Sequence, residues 1–209
     1  FAFLFLYGSM SPPGLDWGDP GEMQLAAWTA GLSHPTGYPL MIMLGWLWTH
    51  LLALFGVEPT RGMTLFSVMA GAATVAAIVP MMLALFRRAK LEFSPRWSLF
   101  WAGSAALFFG FSYTFWAQAL RAEVYTLNAL FLVLLLWGLW AEGAKERLYG
   151  LALFYGIALS HHRTMILWAP GLLLWYWLEY REQFTRGRLF RLMTLIVLPQ
   201  VVYLYVVWR

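Results

Sequence analysis

The chain has 209 residues, of which 61% are hydrophobic, 19% aromatic and only 11% charged, with a net charge of +4 and no cysteine. Soluble domains average about 45–50% apolar and about 25% charged residues, so this composition excludes an ordinary water-soluble fold. The basic residues lie in short segments between apolar runs, with no basic stripe, which excludes nucleic acid as a partner, and the lack of cysteine excludes disulfides, thiol nucleophiles and thiolate metal sites.

In chain order, Phe1 to Tyr7 opens inside an apolar run that covers only about 10 Å of helix at ~1.5 Å per residue. It reads as the exit of a first span in a piece of a longer chain, and it has no basic n-region of the kind a signal peptide carries. The densest polar segment follows, from Asp16 to Tyr38. A helix is expected from Pro20 to Leu32, and Asp19, Pro20 and Glu22 stand at the N-cap, first and third positions of a capping box. His34 to Pro39 (HPTGYP) reads as a rigid turn. Pro39 to Gly56 is an apolar run long enough to cross a bilayer, and its periodicity does not say whether it spans or lies on the surface. Uncharged stretches then run from Met63 to Phe86, Trp97 to Leu120, Val124 to Ala141 and Leu192 to Trp208, matching the ~17–25 residues of a spanning helix. Leu148 to Ser160 and Thr164 to Leu178 add two shorter spans, separated only by His161, His162 and Arg163. Most of the 13 Trp lie near span ends, where the headgroup zone favours them.

Loop charges decide the orientation of Pro39 to Gly56. If it lies in the interface, the loops Arg87 to Arg96, Glu142 to Arg147 and Glu179 to Arg191 share one side and hold ten of the 14 Lys and Arg. Basic residues favour the cytoplasmic side, so Pro39 to Gly56 is expected to be a juxtamembrane helix. Residues 8–61 then form one long non-cytoplasmic loop, residues 62–208 a transmembrane bundle, and residues 1–209 a single integral domain. Asp16, Asp19, Glu22 and Glu58 share that outer face with Arg121, Glu123, His161, His162 and Arg163.

Asp19 and Glu22 stand about one turn apart, where a carboxylate can act as general base towards an acceptor hydroxyl. The competing reading is the capping box itself, which is structural. His34 and Tyr38 in the turn are candidates for substrate contact, although a lone histidine in a turn is more often structural. Gln118, Arg121, Glu123, Tyr125 and Asn128 interrupt an otherwise apolar hairpin. Arg121 either pairs with Glu123 or holds a phosphate. His161, His162 and Arg163 end a short apolar helix and either serve a site or snorkel. No phosphate loop or nucleophile elbow occurs. No carboxylate spacing is diagnostic of a metal, so no ligand set is assigned, although the acidic loop has room for a divalent ion.

The segments WGDPGEMQLAAWTAGLSHPTGYP, WAQALRAEVYTLNAL and GIALSHHRTM, in that order from Trp17 to Arg163, resemble a membrane-protein family related to protein O-mannosyltransferases, within the GT-C superfamily of glycosyltransferases. The resemblance implies an all-α, polytopic bundle with an acidic first outer loop and juxtamembrane helices, using polyprenyl-phosphate sugars as donors. It places Asp19 at the catalytic aspartate, Glu22 at its acidic neighbour and His34 to Pro39 at the loop signature. Pro20 departs from the small polar residue more common there.

The expected function is inverting transfer of a sugar to a hydroxyl of a protein or glycan, with Asp19 and Glu22 catalytic and Asp16, His34, Tyr38, Gln118, Arg121, Glu123, Tyr125, His161, His162 and Arg163 binding substrate. The expected location is a multi-pass protein of a bacterial inner membrane, in contact with lipid and open to membership of a larger membrane complex. Two other readings are a noncatalytic accessory subunit and a lipid or solute transporter. The near absence of charge in the central spans counts against the transporter.

Overall fold

The computed structural model describes residues 1–141, 143, 147–183 and 185–209, and among these every regular element is helical. The expected basic loop from Glu142 to Arg147 falls mostly outside the described residues, Lys145 included. The helices are α1 (Ala2–Met10), α2 (Asp19–Thr29), α3 (Pro39–Ala53), α4 (Pro59–Arg88), α5 (Pro95–Gly110), α6 (Tyr113–Ala119), α7 (Tyr125–Trp140), α8 (Leu148–His161), α9 (Ala169–Tyr180), α10 (Arg186–Val197) and α11 (Leu204–Trp208). Short 3-10 turns at Arg163–Trp168, Arg181–Gln183 and Leu198–Tyr203 join the last of them.

Proline at the first positions starts α2, α3, α4 and α5, where its missing N–H costs no helical hydrogen bond. The long helix α4 is the axis of the fold and packs against α1, α2, α3, α5, α6 and α7. One core cluster joins Met23 and Ala27 of α2, Met41 and Ile42 of α3 and Met63 of α4 to Val124 and Leu127 at the start of α7. A second joins Tyr7, Val68, Ala106 and Phe115 from α1, α4, α5 and α6.

Two helical runs are long and apolar enough to cross a membrane by length and composition: α4, and the continuous stretch Arg186–Trp208. Helices α3, α7 and α8 are apolar but shorter. The stretch Trp97 to Leu120 is not the single helix expected. The Tyr7 hydroxyl donates to the Gly110 carbonyl at 2.6 Å and the Ser112 hydroxyl to the Phe109 carbonyl at 2.7 Å. Those carbonyls are thereby engaged at the point where α5 stops and α6 begins. In Leu192 to Trp208 the α-helical ladder gives way to a 3-10 turn around Pro199, which has no N–H to donate. Phe100, Phe108, Leu173, Trp177 and Val207 are exposed on the outside of the helices, an apolar exterior that soluble monomers rarely carry.

The connections sort to two ends. Arg88, closing α4, forms an ion pair with Glu179 of α9. At the other end the segment after α1, the turn before α3, the α6–α7 connection and the α8–α9 connection meet, and the polar candidates gather there.

Candidate functional site

The segment between α1 and α2 is pinned at three points. From α4, the Arg61 guanidinium donates to the carbonyls of Ser11 at 2.9 Å, Pro12 at 2.8 Å and Gly8 at 2.6 Å, and to the Ser11 hydroxyl at 2.6 Å. It thus occupies carbonyls that the end of α1 leaves open. From α2, the buried Gln24 accepts from the Asp16 N–H at 2.9 Å, and its amide nitrogen reaches the carbonyls of Gly14 at 3.2 Å and Thr60 at 3.1 Å and the Thr64 hydroxyl at 3.0 Å. Gly21 lets the two strands of chain touch: a Cβ there would fall on the Asp16 carbonyl. None of the three is among the expected site residues. The available signal was a lone glutamine between Met23 and Leu25 and a lone arginine at the end of a cation-free segment.

The capping box does not form. The N-cap of α2 is Gly18, at φ +70°, and no side chain caps the helix. Glycine takes this backbone conformation without a steric penalty, so Asp19 enters the helix as its first residue and its exposed carboxylate is left unused by the backbone. Glu22 turns to the HPTGYP segment, where its Oε2 lies 2.8 Å from His34 Nδ1, a nitrogen also 3.2 Å from the Ser33 hydroxyl. Tyr38 holds the N-cap of α3 in the left-handed region, at φ +39°. Such strain in a non-glycine residue persists only where the surroundings fix it. His34 meets the Tyr38 ring edge-to-face at 5.4 Å.

Of the two readings of Arg121, the pair with Glu123 does not form; the Arg121 Nε lies 3.7 Å from Asp16 Oδ2. Glu123 is instead buried, with its backbone N–H and carbonyl both engaged by the Ser67 hydroxyl at 3.2 Å. Burial and then the Asp19 charge hold its carboxyl above the ordinary range, against the Val124 N–H, His34 and Arg121. Burial, followed by Tyr125, Glu123, Tyr203 and Asp19, likewise pushes the Tyr38 phenol up. Tyr38 and Glu123 thus each feel the charge of Asp19, and Tyr38 that of Glu123 and Tyr125.

A group whose pKa is raised on folding stabilises the protein below its unfolded pKa, and that contribution is lost as pH rises through the folded value. Glu123→Gln is therefore expected to raise the melting temperature at neutral pH. The advantage over wild type should shrink as pH falls from the raised value towards 4.5. Parallel melting curves from pH 4 to pH 8 test it, and a constant offset between the two proteins would contradict it.

The three residues after Ser160 have different fates. His161 is fully buried and donates from Nε2 to the Val124 carbonyl at 3.0 Å, which ties α8 to the start of α7, while its buried Nδ1 has no hydrogen-bond partner among the described residues. His162 accepts at Nδ1 from the Thr164 N–H at 3.3 Å, and its ring stacks on Tyr38 at 5.7 Å and approaches Tyr125 at 6.1 Å. Arg163 donates to Gln200 Oε1 at 3.0 Å and lies over the Tyr203 ring at 4.0 Å, beside the cluster. Gln118, on α6, has a buried side-chain oxygen with no hydrogen-bond partner.

The C-terminal run closes over the same turn. The Tyr205 hydroxyl donates to the Ala30 and Gly31 carbonyls, and Val206 stands against Gly37. In the sequence Gln200, Tyr203 and Tyr205 are part of an apolar run, and nothing in their spacing shows that this run folds back on the first loop.

Asp19, Glu22 and His34 each bring one ligand-capable atom within 4.8 Å of the others. This set could accept a divalent cation, which carboxylate spacing alone did not indicate. Two features of the site oppose that use: the positive end of the α2 dipole, and the engagement of Glu22 with His34.

A chain whose described elements are all helical, with two apolar runs long enough to cross a membrane and carboxylates, imidazoles and guanidinium groups gathered at one end, has the features of a membrane-associated protein. A family model described as the protein O-mannosyl-transferase TMEM260 N-terminal domain matches residues 19–185. The chain belongs to this family. It is 25% identical over 178 residues to a protein O-mannosyl-transferase tmem260 of Dictyostelium discoideum and 32% identical over 172 residues to protein O-mannosyl-transferase TMEM260 of Mus musculus. Each match covers 78% of this chain but only 20% and 23% of the relatives' own lengths. No solved structure matches.

Proposed function

We propose that this chain is part of a membrane glycosyltransferase that moves a mannosyl group from a polyprenyl-phosphate donor to a hydroxyl of a protein or glycan, with inversion, at the non-cytoplasmic face. The observation that carries the reading is the cluster of Asp19, Glu22 and His34, with Arg121 beside Asp16 and Arg163 over Tyr203 at the same end of an apolar helical assembly. A lipid-borne phosphate keeps its sugar close to the membrane, so the reacting groups belong at the bundle end. In this reading the helices form a polytopic, GT-C-like bundle, with α2 and α3 lying along the outer interface.

Asp19 takes the proton from the acceptor hydroxyl as the oxygen attacks the anomeric carbon, and the bonding pair to that carbon leaves with the lipid phosphate. Its carboxylate is exposed and free of any capping bond, so it is available to a proton at hydrogen-bond distance. Arg121 and Arg163 stabilise the departing phosphate through charge-assisted hydrogen bonds. The family's printed names and the order of the matched segments support the mannosyl assignment.

The test uses the full-length protein in lipid nanodiscs with a mannosyl polyprenyl phosphate and a Ser/Thr peptide, following product formation and its anomeric configuration. Arg121→Ala and Arg163→Ala are each expected to weaken binding of the lipid phosphate by about 10–100-fold, from ~1.5–3 kcal/mol per hydrogen bond to a charged group. Arg163→Lys should recover only part, since it lacks the planar fork. Unchanged lipid binding in both alanine variants would remove the arginines from the leaving-group site.

A further inference from the structure

The cluster is internally divided by charge. At its centre are the Asp19 and Glu22 carboxylates and the His34 imidazole, each bringing one ligand-capable atom within 4.8 Å of the others, with the Tyr38 ring edge-to-face on His34. The cations stand at the edge, Arg121 against Asp16 and Arg163 over Tyr203. A phosphate at the centre would meet like charge from Asp19 and Glu22, whereas a polyhydroxy ligand can donate hydrogen bonds to the exposed Asp19 carboxylate and to the His34 ring.

The His34–Glu22 contact sets which nitrogen is offered. A carboxylate oxygen only accepts, so the 2.8 Å contact requires the proton on Nδ1. In the neutral ring the lone pair is then on Nε2, and Glu22 holds the imidazole in that tautomer and orientation, as a carboxylate partner does for a metal-bound or catalytic histidine. The pair is only partly covered, with 33% of the His34 side chain and 40% of the Glu22 side chain exposed, so a ligand can approach the ring. Beside it the Tyr38 and His162 rings stack and Tyr125 stands exposed, giving flat apolar surfaces to the C–H face of a pyranose.

The geometry points to a hexose subsite in which His34 Nε2, oriented by Glu22, accepts a hydrogen bond from a hydroxyl of the donor sugar while Tyr38, His162 and Tyr125 flank its ring. This rests on the reading of the site as a sugar-transfer centre. It changes the part of Glu22: its carboxylate acts through His34 as a positioning group and is not a second base beside Asp19. The subsite determines specificity for the sugar, and the phosphate is held separately by the arginines.

The experiment measures binding of two lipids to the full-length protein in nanodiscs: a mannosyl polyprenyl phosphate and the same polyprenyl phosphate without sugar. His34→Asn places an amide N–H where Nδ1 stood and so keeps the bond to Glu22, but it removes Nε2. It is expected to weaken the sugar-bearing lipid at least 10-fold and to leave the sugar-free lipid unchanged. His34→Gln restores a polar atom further out and should recover part of the loss. Deoxymannosyl donors identify the hydroxyl: one of them should bind wild type as weakly as the variant and show no added penalty in it. Equal affinity of wild type for the two lipids, or an equal loss for both in His34→Asn, overturns the subsite. If His34→Asn behaves as expected while wild type transfers no sugar, the subsite stands and the transferase reading fails.

Discussion

Asp19→Asn is expected to fold like the wild type and to transfer sugar about 10²–10⁴-fold more slowly, the range that general base catalysis supplies. The structure sharpens this test, because Asp19 makes no capping hydrogen bond and Gly18 holds the N-cap position. Losing a true N-cap side chain costs roughly 0.5–2 kcal/mol, whereas an exposed carboxylate in the first turn interacts with the helix dipole by only about 0.3–1 kcal/mol. Asp19→Ala should therefore also melt close to wild type, where a capping role would require a clear loss. Rates and melting curves on the same preparations separate the outcomes. A folded Asp19→Asn protein with undiminished turnover would exclude Asp19 from the chemistry.

Gln24→Ala is expected to be among the most damaging single changes, costing about 2–4 kcal/mol of stability. Its side chain serves the part-buried Asp16 N–H and Gly14 and Thr60 carbonyls and the buried Thr64 hydroxyl, several hydrogen bonds lost together, and a polar group left unsatisfied in the interior costs about 1–3 kcal/mol. Transfer should fall as well at temperatures where the variant is still folded. The loop from Gly14 to Asp19 would lose its register on α2, and misplacement of a reacting group by ~1 Å can cost about 10²-fold in rate. Gln24→Glu separates the two ends of the amide, since it keeps an acceptor for Asp16 but loses the donors. A Gln24→Ala protein with wild-type melting would show that Arg61 and the Gly21 contact hold the loop alone.

The two variants probe different layers of one arrangement, and only one layer was legible in the sequence. Asp19, Glu22, His34 and Tyr38 stood out because they are polar residues within about 20 positions of one another in an apolar chain. Their division of labour did not, because Asp19, Pro20 and Glu22 satisfy a local capping pattern equally well, and the choice depends on the φ of Gly18 and on where the HPTGYP turn returns. Arg121 with Glu123 is a similar case. Two opposite charges two residues apart suggest a local pair, but the chain reversal between α6 and α7 sends one to Asp16 and buries the other.

What the sequence determined by itself is therefore the helical class, the apolar exterior, the breaks between apolar runs and the identity of most polar groups at the bundle end. These follow from composition, periodicity and helix-starting prolines, which act within a few residues. Only the packing of the helices decides that Gln24 and Arg61 hold the first loop, that Trp97 to Leu120 is two helices, that His161 is buried while His162 faces Tyr38, and that Tyr205 and Val206 close over a turn more than 160 residues earlier in the chain. The physical reason is that a hydrogen bond or ring contact is specified by the position of two groups in space. Residues far apart in sequence acquire those positions only when the helices pack.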